Sequence, residues 1–328
     1  MKALVTGATG FLGGWLCKEL IHRGYEVRIL RRQNSDLSDI EDLKLEHYIG
    51  DVTDRGSVFE AVMGMDIVFH LAGVIAYEPE KRNLMEKVNV GGTQNVVDAC
   101  LKNKTAKLLH LSSVVAIGAS FSAGVMTEES DFNLNHLNLG YFYTKRQAEE
   151  IVMAAVVNDS LPAYIVNPST IYGAGDAKKG SRKTQLKVAK AKFPLYPVGG
   201  VNVVAVEDVI QGIFLALEKG KPGRRYILSG ENLMIRDLFI MIAEEAGVEA
   251  PKIPLHPPVI KMIGRIGDLV DRFGLKAPIK YENALVASMY HWFDNKRARV
   301  ELGFQPKKAR KAIANSVKWI KENGLLND

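Results

Sequence analysis

The first thirteen residues constrain the fold of this chain more than any other stretch. An apolar run at positions 3–5 is typical of a buried strand, glycines follow at 7, 10 and 13, and apolar residues at helical spacing occupy 15–21. A strand, a glycine turn and a helix N-terminus direct backbone N–H groups and the positive end of a helix dipole at a pyrophosphate. Alone, the glycine spacing also fits an ordinary βα turn. We interpret it as a dinucleotide site formed by Gly7, Thr9, Gly10, Phe11 and Leu12.

Length and composition are those of an ordinary globular chain. Its 328 residues are 47% hydrophobic and 24% charged, enough to bury a large core. Cys17 and Cys100 lie in helix-like stretches, which predicts buried thiols in a reducing compartment. No apolar run is long enough to span a bilayer and the N-terminus leads directly into a strand, so we predict a cytoplasmic protein without a membrane partner. The net charge of +6 is densest at 307–311, where a solvated helix face is favoured over a nucleic-acid surface.

Strands and helices alternate through the first half of the chain. This pattern predicts an α/β fold with a doubly wound parallel sheet of the Rossmann type. Strands are expected at 25–30, 47–52, 66–71 and 107–113, and helices at 54–62, 89–101 and 141–157. No metal site is predicted.

The ends of the third and fourth strands carry residues suited to a dinucleotide. Asp51 and Val52 would lie beside the adenine ring, one accepting from its amine and the other packing on its face. Small residues at the end of the fourth strand leave room for the nicotinamide-side ribose, at Leu71, Ala72 and Gly73. His70 is predicted to be a hydrogen-bonded core residue.

The end of the second strand bears on the choice between NAD and NADP. It carries Arg31 and Arg32, with no carboxylate before Asp36. A carboxylate at this point binds the ribose 2′-hydroxyl of NAD, whereas a guanidinium binds the 2′-phosphate of NADP. The pair favours NADP(H), although two solvated surface arginines would look the same.

The catalytic candidates lie at the end of the fifth strand and in the helix after it. Ser112 and Ser113 end the strand, and Tyr141 and Lys145 are four residues apart, so they share one helix face. An ammonium beside a phenol favours the phenolate and would lower the tyrosine pKa. A serine hydroxyl could hold a substrate oxygen for proton transfer.

Taken together, these motifs resemble the extended short-chain dehydrogenase/reductase family, within the epimerase/dehydratase superfamily, over nearly the whole chain. The dihydroflavonol reductase-like branch is the most similar. The resemblance is carried by the glycine stretch 6–13, Gly50-Asp51-Val52, His70-Leu71-Ala72-Gly73, Ser112-Ser113, the Tyr141-x-x-x-Lys145 pair and the segment 167–173.

The resemblance implies a role for each matching residue. Tyr141 would be the general acid/base, Lys145 would bind the nicotinamide ribose and lower the Tyr141 pKa, and Ser113 would be the catalytic serine, with Ser112 as the alternative. Arg32 would be the main ligand of the 2′-phosphate, assisted by Arg31. Further cofactor contacts are expected from Asn89, Pro168, Ser169 and Ile171.

The second half of the chain resembles the family's smaller substrate lobe, interleaved with returns to the sheet. We expect a dinucleotide-binding part at 1–168 plus about 202–229, a substrate lobe at about 169–201 plus 230–306, and a C-terminal helix at 307–328. Asp208 is expected to cap a helix over 209–217. An apolar stripe at helical spacing over 259–273 fits either packing in the core of the lobe or an apolar mouth over the nicotinamide, and core packing is favoured.

Three functions fit the sequence. The first is an NADP(H)-dependent reductase of a carbonyl on a small, partly apolar substrate. The second is an NAD-dependent nucleotide-sugar epimerase, for which Arg182 and Lys183 could clamp a diphosphate; the third is a non-catalytic NADP-binding regulator. Dehydration is set aside because Val114 and Val115 stand where dehydratases of this family carry an acidic pair. The resemblance also allows a homodimer through the helices near Asn89 and Tyr141.

Overall fold

The computed structural model describes residues 1–105, 107–176, 183–275, 277 and 279–326. Its strands are β1 (Lys2–Thr6), β2 (Glu26–Arg31), β3 (Glu46–Ile49), β4 (Ile67–His70), β5 (Lys107–Leu111), β6 (Val125–Met126), β7 (Ala163–Pro168), β8 (Thr170–Tyr172), β9 (Leu195–Pro197), β10 (Gly200–Ala205), β11 (Arg225–Leu228), β12 (Glu231–Met234), β13 (Ile253–Leu255) and β14 (Tyr290–Phe293). Its α-helices are α1 (Phe11–His22), α2 (Arg55–Val62), α3 (Arg82–Met85), α4 (Gly92–Asn103), α5 (Gly140–Asp159), α6 (Lys183–Ala189), α7 (Val206–Lys219), α8 (Ile235–Ala246), α9 (Pro257–Arg272), α10 (Tyr281–Ala287) and α11 (Ala309–Glu322).

A large parallel sheet organises the molecule. Within the described residues its seven strands run in the order β11-β7-β5-β4-β1-β2-β3. β4 and β7 are buried along their whole length, as expected of apolar strands covered on both faces. The strand order reverses between β1 and β4, and ligands of such sheets bind at the carboxyl ends of the strands beside this point. The predicted doubly wound Rossmann sheet is confirmed.

Helices cover both faces of the sheet, because alternate side chains of each strand point in opposite directions. Ala3 and Val5 of β1 belong to the cluster formed with α1 and α7, whereas Leu4 belongs to the cluster formed with α2, α4 and α5. Cys17 and Cys100 are buried free thiols, one in each cluster, as predicted.

The second half of the chain builds a smaller layer. β12-β10-β14-β6 form a second sheet, β8 pairs with β10, and β9 pairs with β13. α8 and α11 pack on this layer through apolar residues such as Ile242 and Ile313. Of the stretch expected to return to the large sheet, about 202–229, β11 does so and pairs with β7, whereas β10 pairs in the small sheet. The domain boundaries themselves stay a prediction.

Two predicted helix starts are wrong. The helix expected from Asn89 begins at Arg82 and reaches α4 through a π-helical segment, Glu86–Gly91, because Met85 and Val88, three residues apart, already pack into the apolar clusters. The helix expected from 209 begins at Val206, since an acidic residue suits the first turn of a helix as well as its cap. Asp208 therefore lies inside α7, where it accepts a hydrogen bond from the backbone nitrogen of Lys307 (2.7 Å).

The apolar stripe at 259–273 is mostly on the surface, so its interpretation as core is wrong. Ile260 is buried and Ile263 and Val270 are half-buried, but the other members are exposed: Val259, Ile266, Leu269 and Phe273. Glycines at 264 and 267 lie on the inward side of α9, where they allow the neighbouring backbone to come close.

In the described parts of the chain, no helix combines the length and apolarity needed to cross a membrane.

Candidate active site

The glycine turn lies between the carboxyl end of β1 and the end of β4. Gly7 has a φ of +75°, and a Cβ there would lie 2.8 Å from the backbone nitrogen of Ala72. A Cβ on Gly13 would collide with the carbonyl oxygen of Gly7. Gly10 is the N-cap of α1, whose first turn has neither an acidic residue nor a side-chain cap, an arrangement that suits a bound anion. The other residues predicted to bind here lie in the same turn: Thr9, Phe11 and Leu12.

The ends of β2 and β3 lie side by side next to this turn. Arg31 Nε donates a hydrogen bond to Nδ1 of His47 in β3 (2.9 Å), which fixes the guanidinium of Arg31. Arg32 follows directly after the strand and is exposed. Asp51 Oδ1 accepts hydrogen bonds from the backbone nitrogen (2.9 Å) and hydroxyl (2.8 Å) of Thr53, and Val52 is buried beside it.

Thr6 secures the end of β4 to the glycine turn. Its carbonyl accepts from the nitrogen of Leu71 (3.1 Å), and its hydroxyl accepts from the nitrogen of Ala72 (3.2 Å). The same hydroxyl bonds His70 Nδ1 (2.8 Å), and His70 Nε2 bonds the hydroxyl of Thr93 (3.0 Å). His70 is thus a buried, hydrogen-bonded core residue, as predicted.

Asn89 supports the loop that follows β4. Its Nδ2 donates to the carbonyl of Val74 and the hydroxyl of Thr144, both at 3.0 Å, and its Oδ1 accepts from the nitrogen of Val74 (2.7 Å). Gly73 lies exposed in this loop, and a Cβ there would come within 3.3 Å of Asn89 Oδ1. Asn89 therefore ties the loop to α5.

Ser113, Tyr141 and Lys145 come together at the carboxyl end of β5. The Ser113 hydroxyl is hydrogen bonded to the phenol of Tyr141. Lys145 lies one helical turn after Tyr141, and its Nζ donates to the carbonyl oxygen of Leu111 (2.7 Å). Tyr141 and Lys145 are buried, at 8% and 7% exposure. The arrangement has a proton donor, a cation and a hydroxyl at one point of the sheet edge.

Burial sets the protonation of these groups. It raises the pKa of Tyr141 to about 12, although the hydrogen bond from Ser113 acts in the opposite direction. It lowers the pKa of Lys145 to about 8, and the nearby carboxylate of Glu149 counteracts this. The expected lowering of the Tyr141 pKa by Lys145 is therefore wrong for this structure, because desolvation of the phenolate dominates. Tyr141 is a neutral phenol at pH 7 and can donate its proton.

A buried ionic network that the sequence analysis missed lies directly behind these residues. Glu149 is fully buried and accepts hydrogen bonds from Ser112 Oγ, Arg225 Nε and Asn167 Nδ2, the last at 2.6 Å. Asn167 Nδ2 also donates to the carbonyl of Ser113 (3.1 Å). The hydroxyl of Ser112 is thereby directed to Glu149, whereas that of Ser113 reaches Tyr141. One available signal was the spacing of Glu149, four residues after Lys145 on the same helix.

The segment after β7 closes the opposite side of the site. Pro168 is the last residue of β7, and Ile171 lies half-buried in β8. The hydroxyl of Ser169 donates to Oδ1 of Asn202 (2.6 Å), so it connects this segment to the small sheet. Arg182 lies outside the described residues, and Lys183 is the first residue of α6.

Apolar side chains surround the phenol of Tyr141. The ring of Tyr77 stands edge-on to it, with centroids 6.2 Å apart. Both rings belong to an apolar cluster that also contains residues from the loop before α5, from α5 and from α10: Leu139, Phe142, Tyr281 and Leu285. The surroundings of the candidate proton donor are therefore largely apolar.

Comparison with known proteins identifies the family. Residues 3–229 match the model of the NAD dependent epimerase/dehydratase family. The chain belongs to this family. It is 30% identical to sterol demethylase protein B of Methylococcus capsulatus, over 99% of this chain and 100% of that protein, and 28% identical to a putative dihydroflavonol 4-reductase of Synechocystis sp., over 98% and 95%. The crystal structure of gox2253 matches it with a TM-score of 0.87 and 34% identity, over 98% of both chains.

The residues of this epimerase/dehydratase family member fit a nicotinamide dinucleotide. Gly7 and Gly13 have no room for a Cβ, and α1 begins without a side-chain cap, so a pyrophosphate can approach the backbone N–H groups there. Two arginines stand at the end of β2, and Lys145 and Tyr141 stand at the end of β5, on either side of that turn. The resemblance to extended short-chain dehydrogenases/reductases is thereby confirmed at the level of fold and family.

Proposed function

We propose that the protein is an NADP(H)-dependent oxidoreductase that reduces a carbonyl group on a small, partly apolar substrate. The observation that carries the proposal is the contact of Ser113 with a buried, neutral Tyr141, one helical turn from Lys145. The two relatives named above carry the names of a sterol demethylase protein and a putative dihydroflavonol 4-reductase, which agrees with redox chemistry on ring-containing substrates.

In this proposal each catalytic side chain has one task. When bound, NADPH supplies the hydride that reduces the carbonyl carbon. Tyr141 transfers its phenolic proton to the carbonyl oxygen, since its raised pKa keeps it protonated at neutral pH. Ser113 donates a hydrogen bond to the same oxygen, and Lys145 holds the nicotinamide-side ribose.

The preference for NADP(H) rests on Arg31 and Arg32. Arg31 is fixed against β3 and Arg32 is exposed beside it, so two guanidinium groups are offered where a 2′-phosphate would lie. The remaining cofactor contacts are proposed for residues already described at the strand ends: Gly7, Thr9, Gly10, Phe11, Leu12, Asp51, Val52, Leu71, Ala72, Gly73, Asn89, Pro168, Ser169 and Ile171.

The first experiment identifies the cofactor. The purified protein is denatured and any released nucleotide is analysed; an empty protein is then titrated with NADPH and NADH. Release of NADP(H), or much tighter binding of NADPH than NADH, supports the reductase. Tightly held, near-stoichiometric NAD would instead favour the nucleotide-sugar epimerase and contradict the role given to Arg31 and Arg32.

The second experiment tests the proton donor with Tyr141→Phe on a panel of carbonyl compounds. Removing a general acid should lower kcat by about a hundredfold or more while NADPH still binds. Tyr143→Phe is the matched control, because Tyr143 lies on the same helix but donates to the carbonyl of Asn135 (2.5 Å). Unchanged turnover in Tyr141→Phe would refute the mechanism. Cofactor binding with no hydride transfer to any substrate would favour the regulator instead.

The cytoplasmic location and the homodimer stay predictions.

A further inference from the structure

One face of α9 exposes a row of large apolar side chains. Val259, Met262, Ile266, Leu269 and Phe273 are between 42% and 77% exposed. Their spacing alternates between three and four residues, so they form a single stripe along the helix, which Phe273 continues as the residue directly after α9. Large apolar groups scattered singly on a surface need no explanation, but a continuous row of five does.

The stripe cannot turn inward, because glycines fit the opposite face of α9 to α10 and to the residues just before it. A Cβ on Gly264 would lie 2.8 Å from the Cα of Tyr281, and one on Gly267 would collide with the carbonyl oxygen of Ile279. Ile260, on the same inward face, is 4% exposed. The close backbone contact fixes the rotation of α9 and leaves the stripe in solvent.

The charged residues of α9 are arranged asymmetrically around the stripe. Its carboxylates are both engaged on the α10 side: Asp268 accepts a hydrogen bond from the backbone nitrogen of Tyr281 (3.1 Å), and Asp271 forms an ion pair with Lys280 (2.8 Å). Its described basic groups, Lys261 and Arg265, are one helical turn apart and follow one edge of the stripe. The exposed surface of α9 is therefore apolar with a cationic edge, on a chain of net charge +6.

We propose that α9 lies in the interface of a bilayer that contains anionic lipids, with its stripe in the boundary between head groups and acyl chains and its basic edge on the lipid phosphates. An apolar row flanked by Lys and Arg is the pattern of an interfacial amphipathic helix. A coiled-coil contact with a second copy is less suitable, because the row spans two heptads and such seams need about three or four. The prediction of no membrane partner rested on the lack of a spanning segment, which has no bearing on a helix that lies in the interface.

The position of α9 connects this surface to the candidate site. The Nζ of Lys261 lies 5.7 Å from the ring centroid of Phe121, which is itself 46% exposed. Tyr281, against which α9 packs, belongs to the apolar cluster around Tyr141. α9 therefore lies between the proposed bilayer surface and the apolar side chains around Tyr141. Binding to lipid does not require the proposed reductase activity, so each can fail without the other.

Co-sedimentation with vesicles tests the proposal. The full chain is mixed with vesicles of phosphatidylcholine alone and of an equimolar mixture with phosphatidylglycerol. We expect binding to the anionic vesicles, weakened at least about tenfold in Ile266→Gln/Leu269→Gln, since two large apolar groups would no longer be buried. Lys261→Gln/Arg265→Gln should lose the preference for anionic lipid. Val157→Gln, which replaces an 81% exposed valine of α5, is the control and should bind like the unaltered chain.

Three results would overturn the proposal. One is no binding of the unaltered chain to anionic vesicles. Another is equal binding by the chain with both stripe substitutions, provided that circular dichroism shows it folded. The third is a dimer in analytical ultracentrifugation that Ile266→Gln/Leu269→Gln dissociates, without lipid binding, because the stripe would then be a contact between copies of the chain.

Discussion

The buried carboxylate of Glu149 gives the sharpest test of how the candidate site is held together. Glu149 is fully buried and its partner Arg225 is 11% exposed, so both charges have left water and depend on each other. Glu149→Gln removes one charge and leaves the guanidinium buried without its partner. Breaking a buried pair in this way costs roughly 3–5 kcal/mol. We expect a loss of unfolding free energy in this range, measured by urea denaturation at pH 7.

The neighbouring residue supplies the control. Glu150 pairs with Arg146 on the surface of the same helix (2.6 Å), with the carboxylate 52% exposed, so Glu150→Gln should cost no more than about 1 kcal/mol. In the double variant Glu149→Gln/Arg225→Met, part of the loss should be recovered because no unpaired charge stays buried. Equal costs for Glu149→Gln and Glu150→Gln would refute the coupling.

Glu149 should also influence activity through Lys145. Its carboxylate opposes the effect of burial on the ammonium, so removing it should move the pKa of Lys145 below about 8. Lys145 would then lose its proton at lower pH, and the alkaline fall of kcat/KM should shift to lower pH in Glu149→Gln but not in Glu150→Gln. An unmoved alkaline limb in a folded Glu149→Gln enzyme would show that Glu149 serves the fold alone.

Three further predictions follow from the site. Ser113→Ala should lower kcat about a hundredfold by removing a hydrogen bond to the reacting oxygen. Ser112→Ala should mainly lower the melting temperature. Equal losses of kcat in the two variants would contradict the assignment of Ser113. Gly13→Ala should abolish NADPH binding in a fluorescence titration, while Gly14→Ala, whose Cβ would find its nearest neighbour at 3.5 Å, should bind normally. In the unaltered enzyme, kcat/KM should fall above about pH 8 as Lys145 loses its proton, and a profile flat to pH 10 would rule out a need for the ammonium.

Local chemistry explains why the placement of the candidate nucleotide-binding residues at the strand ends could be predicted from sequence. A glycine turn after a strand, arginines at a strand end and a tyrosine one helical turn from a lysine each act within a few residues of chain. The parallel sheet then brings these segments to a common edge, since all its strands end there. The resemblance added the assignment of Ser113, which hydrogen bonds Tyr141 in the structure, over Ser112, which faces Glu149.

Contacts between distant segments set the features that the sequence analysis missed. Glu149 and Arg225 are 76 residues apart, and their pairing depends on β11 returning to the large sheet beside β7. The pKa of Tyr141 was expected to follow its neighbour Lys145, but it follows burial, which spacing along a helix does not describe.

The stripe of α9 shows the same limit in its simplest form. Its apolar period predicted an amphipathic helix correctly, but a period only shows that apolar residues share a side, not that this side faces the core. In α9 the glycines at 264 and 267 lie on the side that packs, because the backbone of Tyr281 and Ile279 comes closer there than any larger residue allows. The packed face of α9 therefore carries glycines, and its large apolar side chains lie mostly on the exposed face. When a helix has two glycines three residues apart on one face and an apolar row on another, its sequence therefore supports the hypothesis that the apolar row faces outward.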